Sequence, residues 1–298
     1  MKVGYCAIVG KPNVGKSTLI NSLIGAKVSI VSQKPGTTRM RILGVKTIKD
    51  VAQIVFLDTP GIARASDALS EVMLQSAKLS LEEADVIVFL IDASEGWQSS
   101  DENIFNRYIK PLKKPTIIAL NKIDLLGKVD KALPIVEELS QKLRSVEFVP
   151  ISASKGFNLD RLLDSIISKL KEGEPLFEPE MTTDLPARIF FAEIIREKVL
   201  QKVHQEIPQG IAIVVENISP GKVDKQMLVI SAKIIVEKES HKPIVIGKGG
   251  QKLKAIGELA RKELELITGK KVFLELWVEV KPGWKDRPEF VKHFGYGL

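Results

Sequence analysis

The sequence predicts an α/β protein: a mostly parallel sheet covered by helices on both faces, followed by a smaller α+β domain. Three observations carry this. Short apolar runs at residues 3–9, 53–57, 86–91, 116–120 and 147–151 alternate with amphipathic stretches, the pattern of βαβ units. Residues 173–186 break that pattern with Pro175, Pro179, Pro186 and several acids, which reads as an extended linker. Beyond it, Phe191, Ile195, Val199 and Val203 recur every four residues, and Val272, Leu274, Leu276, Val278 and Val280 every two. The first series is one face of a helix and the second one face of a strand.

The elements follow in order. VGYCAIV at 3–9 is a buried strand, and residues 16–24 form a helix opening directly from a glycine loop. Residues 25–40 are polar, and Pro35-Gly36-Thr37-Thr38 marks a loop. Residues 41–57 form two strands turning near Asp50. Strands at Val86–Ile91, Thr116–Leu120 and Glu147–Ile151 alternate with helices at about 101–110, 129–143 and 159–171. Past the linker come a helix, strands at Ile211–Val215 and Met227–Val236, a helix, glycine turn and helix over Ile244–Ile267, and a last strand. Phe273 and Trp277 on that strand's other face imply that this side is partly covered as well. The domains are therefore 1–172, a linker at 173–186, and 187–298.

The 298 residues suffice for about two domains, and 44% hydrophobic residues suffice for their cores. The formal charge of +7 is uneven: residues 1–186 hold 24 Lys/Arg against 23 Asp/Glu, and residues 187–298 hold 20 against 14. A polyanionic partner for the second half is the corresponding expectation. The single cysteine, Cys6, excludes an intrachain disulfide and, lying in an apolar run, reads as a buried thiol in a reducing compartment. MKVGYCAIVG is too short and too soon interrupted for a signal peptide, and the longest apolar run, Val86–Ile91, is far too short to span a bilayer.

Four motifs fall at strand ends, where ligands bind on such sheets. The first is GKPNVGKS at 10–17. Gly10 and Gly15 let the backbone turn and aim N–H groups at phosphate oxygens in the loop that also holds Lys11, Asn13, Val14, Thr18 and Pro12, the last without an N–H of its own. Lys16 reaches the β- and γ-phosphates, and the Ser17 hydroxyl ligates Mg²⁺. In DTPG at 58–61, Asp58 holds Mg²⁺ through a water and Gly61 lets its N–H approach the γ-phosphate. In NKID at 121–124, Asp124 accepts from guanine N1–H and the 2-amino group, a donor pair that adenine lacks. Asn121 ties the base loop to the phosphate loop, and the Lys122 stem stacks on the base. In SAS at 152–154, Ser152 braces Asp124, the Ala153 N–H meets guanine O6, and Ser154 closes the loop. Together they describe a site for GTP and GDP with Mg²⁺.

These residues resemble the translation-factor-related P-loop GTPases, and within them the subgroup containing the Era-type and tRNA-modifying GTPases. The resemblance puts the metal-contacting switch threonine at Thr38, with Thr37 as the alternative. Ras-like members carry a glutamine after DTxG to orient the attacking water. Here Ile62 stands there, so unaided hydrolysis is expected to be slow. In the resembling subgroup an asparagine at position 13 can ligate K⁺ beside the phosphates; a loop residue tolerant of positive φ is the other reading of Asn13.

In the second half, IVIGKGGQKLKAIG at 244–257 fits the GxxG loop of a KH module, a tight turn between helices that clamps a nucleic-acid backbone. Ile246, Gly247, Lys248, Gly249, Gly250, Lys252 and Lys254 are the candidate RNA contacts, glycines for close approach and lysines for charge. The order α-β-β-α-α-β matches the type II KH fold, as against a plain helix–helix connector with solvated lysines. A P-loop GTPase joined to a KH module resembles the Era family over essentially the whole chain. That resemblance implies a role in small (30S) subunit assembly and binding near the 3′ end of 16S rRNA. It also implies a monomer in the cytoplasm with some peripheral inner-membrane association.

Overall fold

The computed structural model describes residues 1–296 apart from 35, 64, 128, 144–145, 204–209 and 223. The chain divides into two compact units. Unit 1 comprises Met1–Ser29, Thr38–Ala65 and Met73–Asp184; unit 2 comprises Ile30–Thr37, Ser66–Val72 and Leu185–Leu298.

Unit 1 is built on strands β1 (Lys2–Val9), β2 (Ile42–Ile48), β3 (Ala52–Asp58), β4 (Val86–Asp92), β5 (Thr116–Asn121) and β6 (Glu147–Pro150). They lie in the order β2-β3-β1-β4-β5-β6, parallel except for the β2–β3 hairpin. The short β7 (Lys171–Glu172) pairs antiparallel with the start of β1. Helices α1 (Lys16–Ile24), α2 (Ala68–Glu83), α3 (Ser99–Ile104), α4 (Leu133–Lys142) and α5 (Leu159–Lys169) accompany the sheet. Two cores flank it. One joins Cys6, Ile8, Val88 and Ala119 to α1 and α5; the other joins Ala7, Val9, Phe89 and Leu120 to α2 and α4. Alternate residues of each central strand therefore feed opposite cores, which is why the strands read as unbroken apolar runs.

Helix α2 lies where the sequence reading placed no element. Its inward face is made largely of Ala77 and the buried Ser76 and Ser80, with Leu81. Small residues let the helix sit close to the sheet but give little hydrophobic periodicity. Residues in the stretch read as a linker are bonded to unit 1: Gln53 Nε2 donates to Phe177 O at 2.8 Å, and Val45 N donates to Thr182 O at 2.9 Å.

Unit 2 contains α6 (Ala187–Lys202), β8 (Ala212–Pro220), β9 (Leu228–Val236), α7 (His241–Ile246), α8 (Gln251–Thr268) and β10 (Val272–Val280). The sheet order is β10-β9-β8, with β8–β9 antiparallel and β9–β10 parallel. Val199, Ile234, Val245, Ile256, Ala260 and Leu264 meet in its core. The aromatic residues of the tail pack as well: Trp284 is buried and donates its Nε1–H to Gly210 O at 3.0 Å, with the Phe294 and Tyr296 rings beside it. Phe273 and Trp277, on the other face of β10, are 51% and 48% exposed, while the aliphatic face packs into the core with the helices.

Cys6 is fully buried, and burial pushes its thiol well above the ordinary range. The native protein should therefore resist alkylation by iodoacetamide for hours and react within minutes in denaturant, read by intact mass. Rapid labelling of the folded protein would contradict the burial.

Candidate functional site

The glycine loop connects β1 to α1 through two backbone turns that need glycine. Gly10 has φ 156° and Gly15 φ 100°, and a Cβ on Gly15 would stand 2.4 Å from Asn121 Nδ2. No side chain caps α1, so its first-turn N–H groups have no capping acceptor, and the positive end of the helix opens at the loop. Lys16 Nζ donates to Lys11 O at 2.7 Å and Gly10 O at 3.3 Å, folded back over the loop. Burial lowers its ammonium to about 8, with the Asp58 charge opposing the shift. A polyanion in the loop would supply the missing stabilisation. The Lys11 ammonium pairs with Asp101 at 3.0 Å and Glu95 at 3.5 Å, so this residue offers the loop its backbone.

Three oxygens converge beside Lys16. Ser17 Oγ donates to Asp58 Oδ2 at 2.9 Å and lies 2.9 Å from Thr38 Oγ1. The Ser17 proton being committed to Asp58, the Thr38 hydroxyl is the donor of that pair. Ser29 Oγ also donates to Asp58 Oδ2, at 2.6 Å. Asp58 Oδ1 is buried and has no hydrogen-bond partner. Burial raises the Asp58 carboxyl, against the pull of Ser29, Lys16 and Ser17. A buried carboxylate oxygen left open beside two hydroxyls fits a divalent cation of the Mg²⁺ kind. Thr37, the alternative, turns away: its Oγ1 donates to Lys34 O at 2.6 Å. Pro35 lies outside the described residues. Gly61 abuts Pro12, where a Cβ would come within 2.8 Å of the Pro12 nitrogen. Ile62 is buried in the core of unit 1.

The base loop is held from both sides. Asn121 Nδ2 donates to Val14 O at 2.8 Å, tying it to the phosphate loop. Ser152 Oγ donates to Asp124 Oδ1 at 2.5 Å and lies 3.4 Å from Ser154 Oγ. Asp124 Oδ2 thus stands clear of that brace. The Ala153 N–H donates to Asn121 Oδ1 at 2.9 Å, which braces the loop in this structure. Sequence reasoning missed Asp92, at the end of β4, which pairs with Lys122 Nζ at 2.6 Å. Burial alone would raise the Asp92 carboxyl; Lys122 and Ser94 together outweigh it and hold it low. An acid closing an apolar strand was the available signal.

In unit 2 the turn between α7 and α8 is built from Gly247, Lys248, Gly249 and Gly250. Gly247 has φ 75°, Gly249 58° and Gly250 78°. Gly250 N donates to Gly247 O at 3.1 Å. A Cβ on Gly247 would stand 2.6 Å from Lys252 Cβ, whereas Gly249 and Gly250 face open space. Lys248, Gly249 and Lys254 are exposed, and Ile246 and Lys252 partly so. An uncapped helix start, open glycines and three lysines suit a phosphate backbone.

Residues 5–122 match the family described as 50S ribosome-binding GTPase, and residues 206–285 match the KH domain. The GTPase Era of Aquifex aeolicus is 57% identical over 301 residues, covering all of both chains. This chain belongs to the Era family of GTPases. The GTPase Era of Clostridioides difficile is 43% identical over 295 residues, covering 99% of this chain and 98% of the other. A crystal structure of Era in complex with MgGDPNP and nucleotides 1506–1542 of 16S ribosomal RNA superposes with a TM-score of 0.99, at 57% identity and full coverage of both chains. A structure of a variant of Aquifex aeolicus Era bound to GDP and AlF4⁻ gives the same TM-score, identity and coverage.

Replacing Asp124 by Asn turns the acceptor pair into one acceptor and one donor. Asp124→Asn should weaken GTP by roughly a hundredfold or more while admitting xanthosine triphosphate, whose 2-carbonyl accepts from the new amide. Competition binding against a fluorescent guanine nucleotide reads both changes.

Proposed function

We propose that this chain is a GTP-hydrolysing switch that binds the 3′ region of 16S rRNA through its GKGG turn and acts in assembly of the 30S ribosomal subunit. The observation that carries this is the full-length likeness to the Era complex with MgGDPNP and nucleotides 1506–1542 of 16S ribosomal RNA. We infer a GTPase domain at 1–172, a linker at 173–186 and an RNA-binding domain at 187–298.

The site residues divide the work as follows. The Gly10–Thr18 loop wraps the phosphates with backbone N–H groups, and Lys16 exchanges its two carbonyl partners for β- and γ-oxygens. Ser17, Thr38 and, through water, Asp58 hold Mg²⁺, which supplies charge neutralisation to the phosphates when bound. The convergence of Ser17 and Thr38 at 2.9 Å supports Thr38 over Thr37. Gly61 brings its backbone to the γ-phosphate end of the loop. Asp124 selects guanine, Ser152 and Ser154 brace Asp124, Asn121 and Ala153 lock the base loop to the phosphate loop, and Lys122, pinned by Asp92, lies along the base. Ile62 offers the attacking water no hydrogen bond. K⁺ at Asn13 would supply charge in its place, although the Asn13 φ of 66° already gives an asparagine reason to stand there. Ile246, Gly247, Lys248, Gly249, Gly250, Lys252 and Lys254 form the RNA clamp. A monomer in the cytoplasm, peripheral at the inner membrane, follows from the family; no described helix is long and apolar enough to cross a membrane.

The double variant Lys248→Asp, Gly249→Asp should lose at least tenfold in affinity for an RNA spanning the 16S 3′ region, with GTP turnover unchanged. Wild-type binding should weaken steeply with salt. Unaltered RNA affinity in the variant would remove the GKGG turn from the interface. Turnover in KCl should exceed that in NaCl at equal ionic strength; equal rates would return Asn13 to a plain loop residue.

A further inference from the structure

Helix α6 is buried from Phe191 to Leu200, although four of those ten residues are charged. Phe191, Ile195 and Val199 face the core of unit 2. Glu193, Arg196 and Glu197 share another face, at the i, i+3 and i+4 positions, and are 3%, 0% and 3% exposed. Charges are rarely buried to this degree without a partner that requires them. Their partners outside the helix are the main-chain groups of Val31 and Thr37, in the same compact unit. Glu197 Oε1 accepts from the Val31 N–H at 2.8 Å. Arg196 is held by Glu193, through Nε at 2.8 Å and through a terminal nitrogen at 2.5 Å, and that nitrogen also donates to Thr37 O. Lys198 steadies Glu197 at 2.6 Å. Ile30 enters the apolar core of unit 2 at the start of the segment.

We propose that this face of α6 is a main-chain-reading site, and that Arg196 and Glu197 are positioning residues for GTP hydrolysis. The Thr37 carbonyl belongs to the same rigid peptide plane as the Thr38 nitrogen. Holding that carbonyl fixes the direction in which Thr38 leaves the segment, and Thr38 is the residue whose hydroxyl reaches Ser17. Both contacts are to backbone atoms, so they report where the segment lies and not which side chains it carries. The inference rests on the reading of Thr38 as a metal-contacting residue. It adds that Thr38 is held in place from α6 through the Thr37 carbonyl. GDP, lacking the γ-phosphate, should be indifferent to it.

The test uses the full chain with three changes: Glu193→Gln with Arg196→Gln, which removes both buried charges together; Glu197→Asp, which keeps the charge but withdraws it by one methylene; and Thr38→Ala. For each, kcat, KM, GDP affinity and the Mg²⁺ concentration for half-maximal GTP turnover are measured, with hydrogen exchange over 30–38. The first two variants should lower kcat about tenfold, as expected for the loss of a charge-assisted hydrogen bond. They should raise the Mg²⁺ requirement, speed exchange in the segment, and leave GDP affinity within twofold of wild type. If the paired variant does not fold, Glu197→Asp decides alone. Wild-type kcat and Mg²⁺ dependence in these variants, with Thr38→Ala impaired, would overturn the positioning role and leave the Thr38 reading standing. An unimpaired Thr38→Ala would overturn that reading itself. Equal losses for GDP and GTP would mark α6 as structural only.

Discussion

The nucleotide half depends on one uncomfortable group, the carboxylate of Asp58. It ends β3 with no exposure, accepts hydrogen bonds from Ser17 and Ser29 on one oxygen, and leaves the other oxygen unpaired. Leaving such an atom unsatisfied costs on the order of 1–3 kcal/mol or more. A fold carries that cost where the open oxygen is used, and the same carboxylate accepts through its other oxygen from Ser17, whose hydroxyl lies against that of Thr38. The strain is local; the cores on either side of the sheet are filled with aliphatic side chains. Stability comes from the sheet, and the site is the place where the sheet's rule against unpaired buried charge is relaxed.

The two functional loops solve related problems with glycine. In the phosphate loop, Gly15 is forced by the approach of Asn121, so one residue couples the phosphate and base loops sterically as well as by hydrogen bond. In the turn between α7 and α8, Gly247 is forced by Lys252, whereas Gly249 and Gly250 are required by positive φ alone and face outward. The first loop is closed by the protein itself; the second leaves its glycines bare. That contrast suits a small ligand that must be enclosed in one case and a long polymer that lies across a surface in the other.

Much of this was legible in the sequence. Strands β1, β3, β4 and β5 announced themselves because both faces are buried, and the motifs at their ends have spacings fixed by phosphate and base geometry. What stayed hidden depends on partners distant in sequence. Helix α2 was invisible because Ala77, Ser76 and Ser80 make a buried face without a hydrophobic stripe. Ser29 gave no local sign that it would support Asp58, and Asp92 showed only an acid closing an apolar strand, with no sign that Lys122 would be its partner. The bond from the Ala153 N–H to Asn121 Oδ1 joins residues 32 positions apart. Glu193, Arg196 and Glu197 lie off the apolar series of Phe191, Ile195 and Val199, and only the bonds to Val31 N and Thr37 O show why they are buried.

The most direct measurement is the Mg²⁺ dependence of GTP-analogue affinity in wild type and in Asp58→Asn, by calorimetry with and without chelator. A carboxylate kept open for the metal predicts a large Mg²⁺-dependent gain in the wild type that is nearly absent in the variant, with both proteins alike when the metal is removed. The same gain in both proteins would contradict the account, because the buried charge of Asp58 would then have no use in the site.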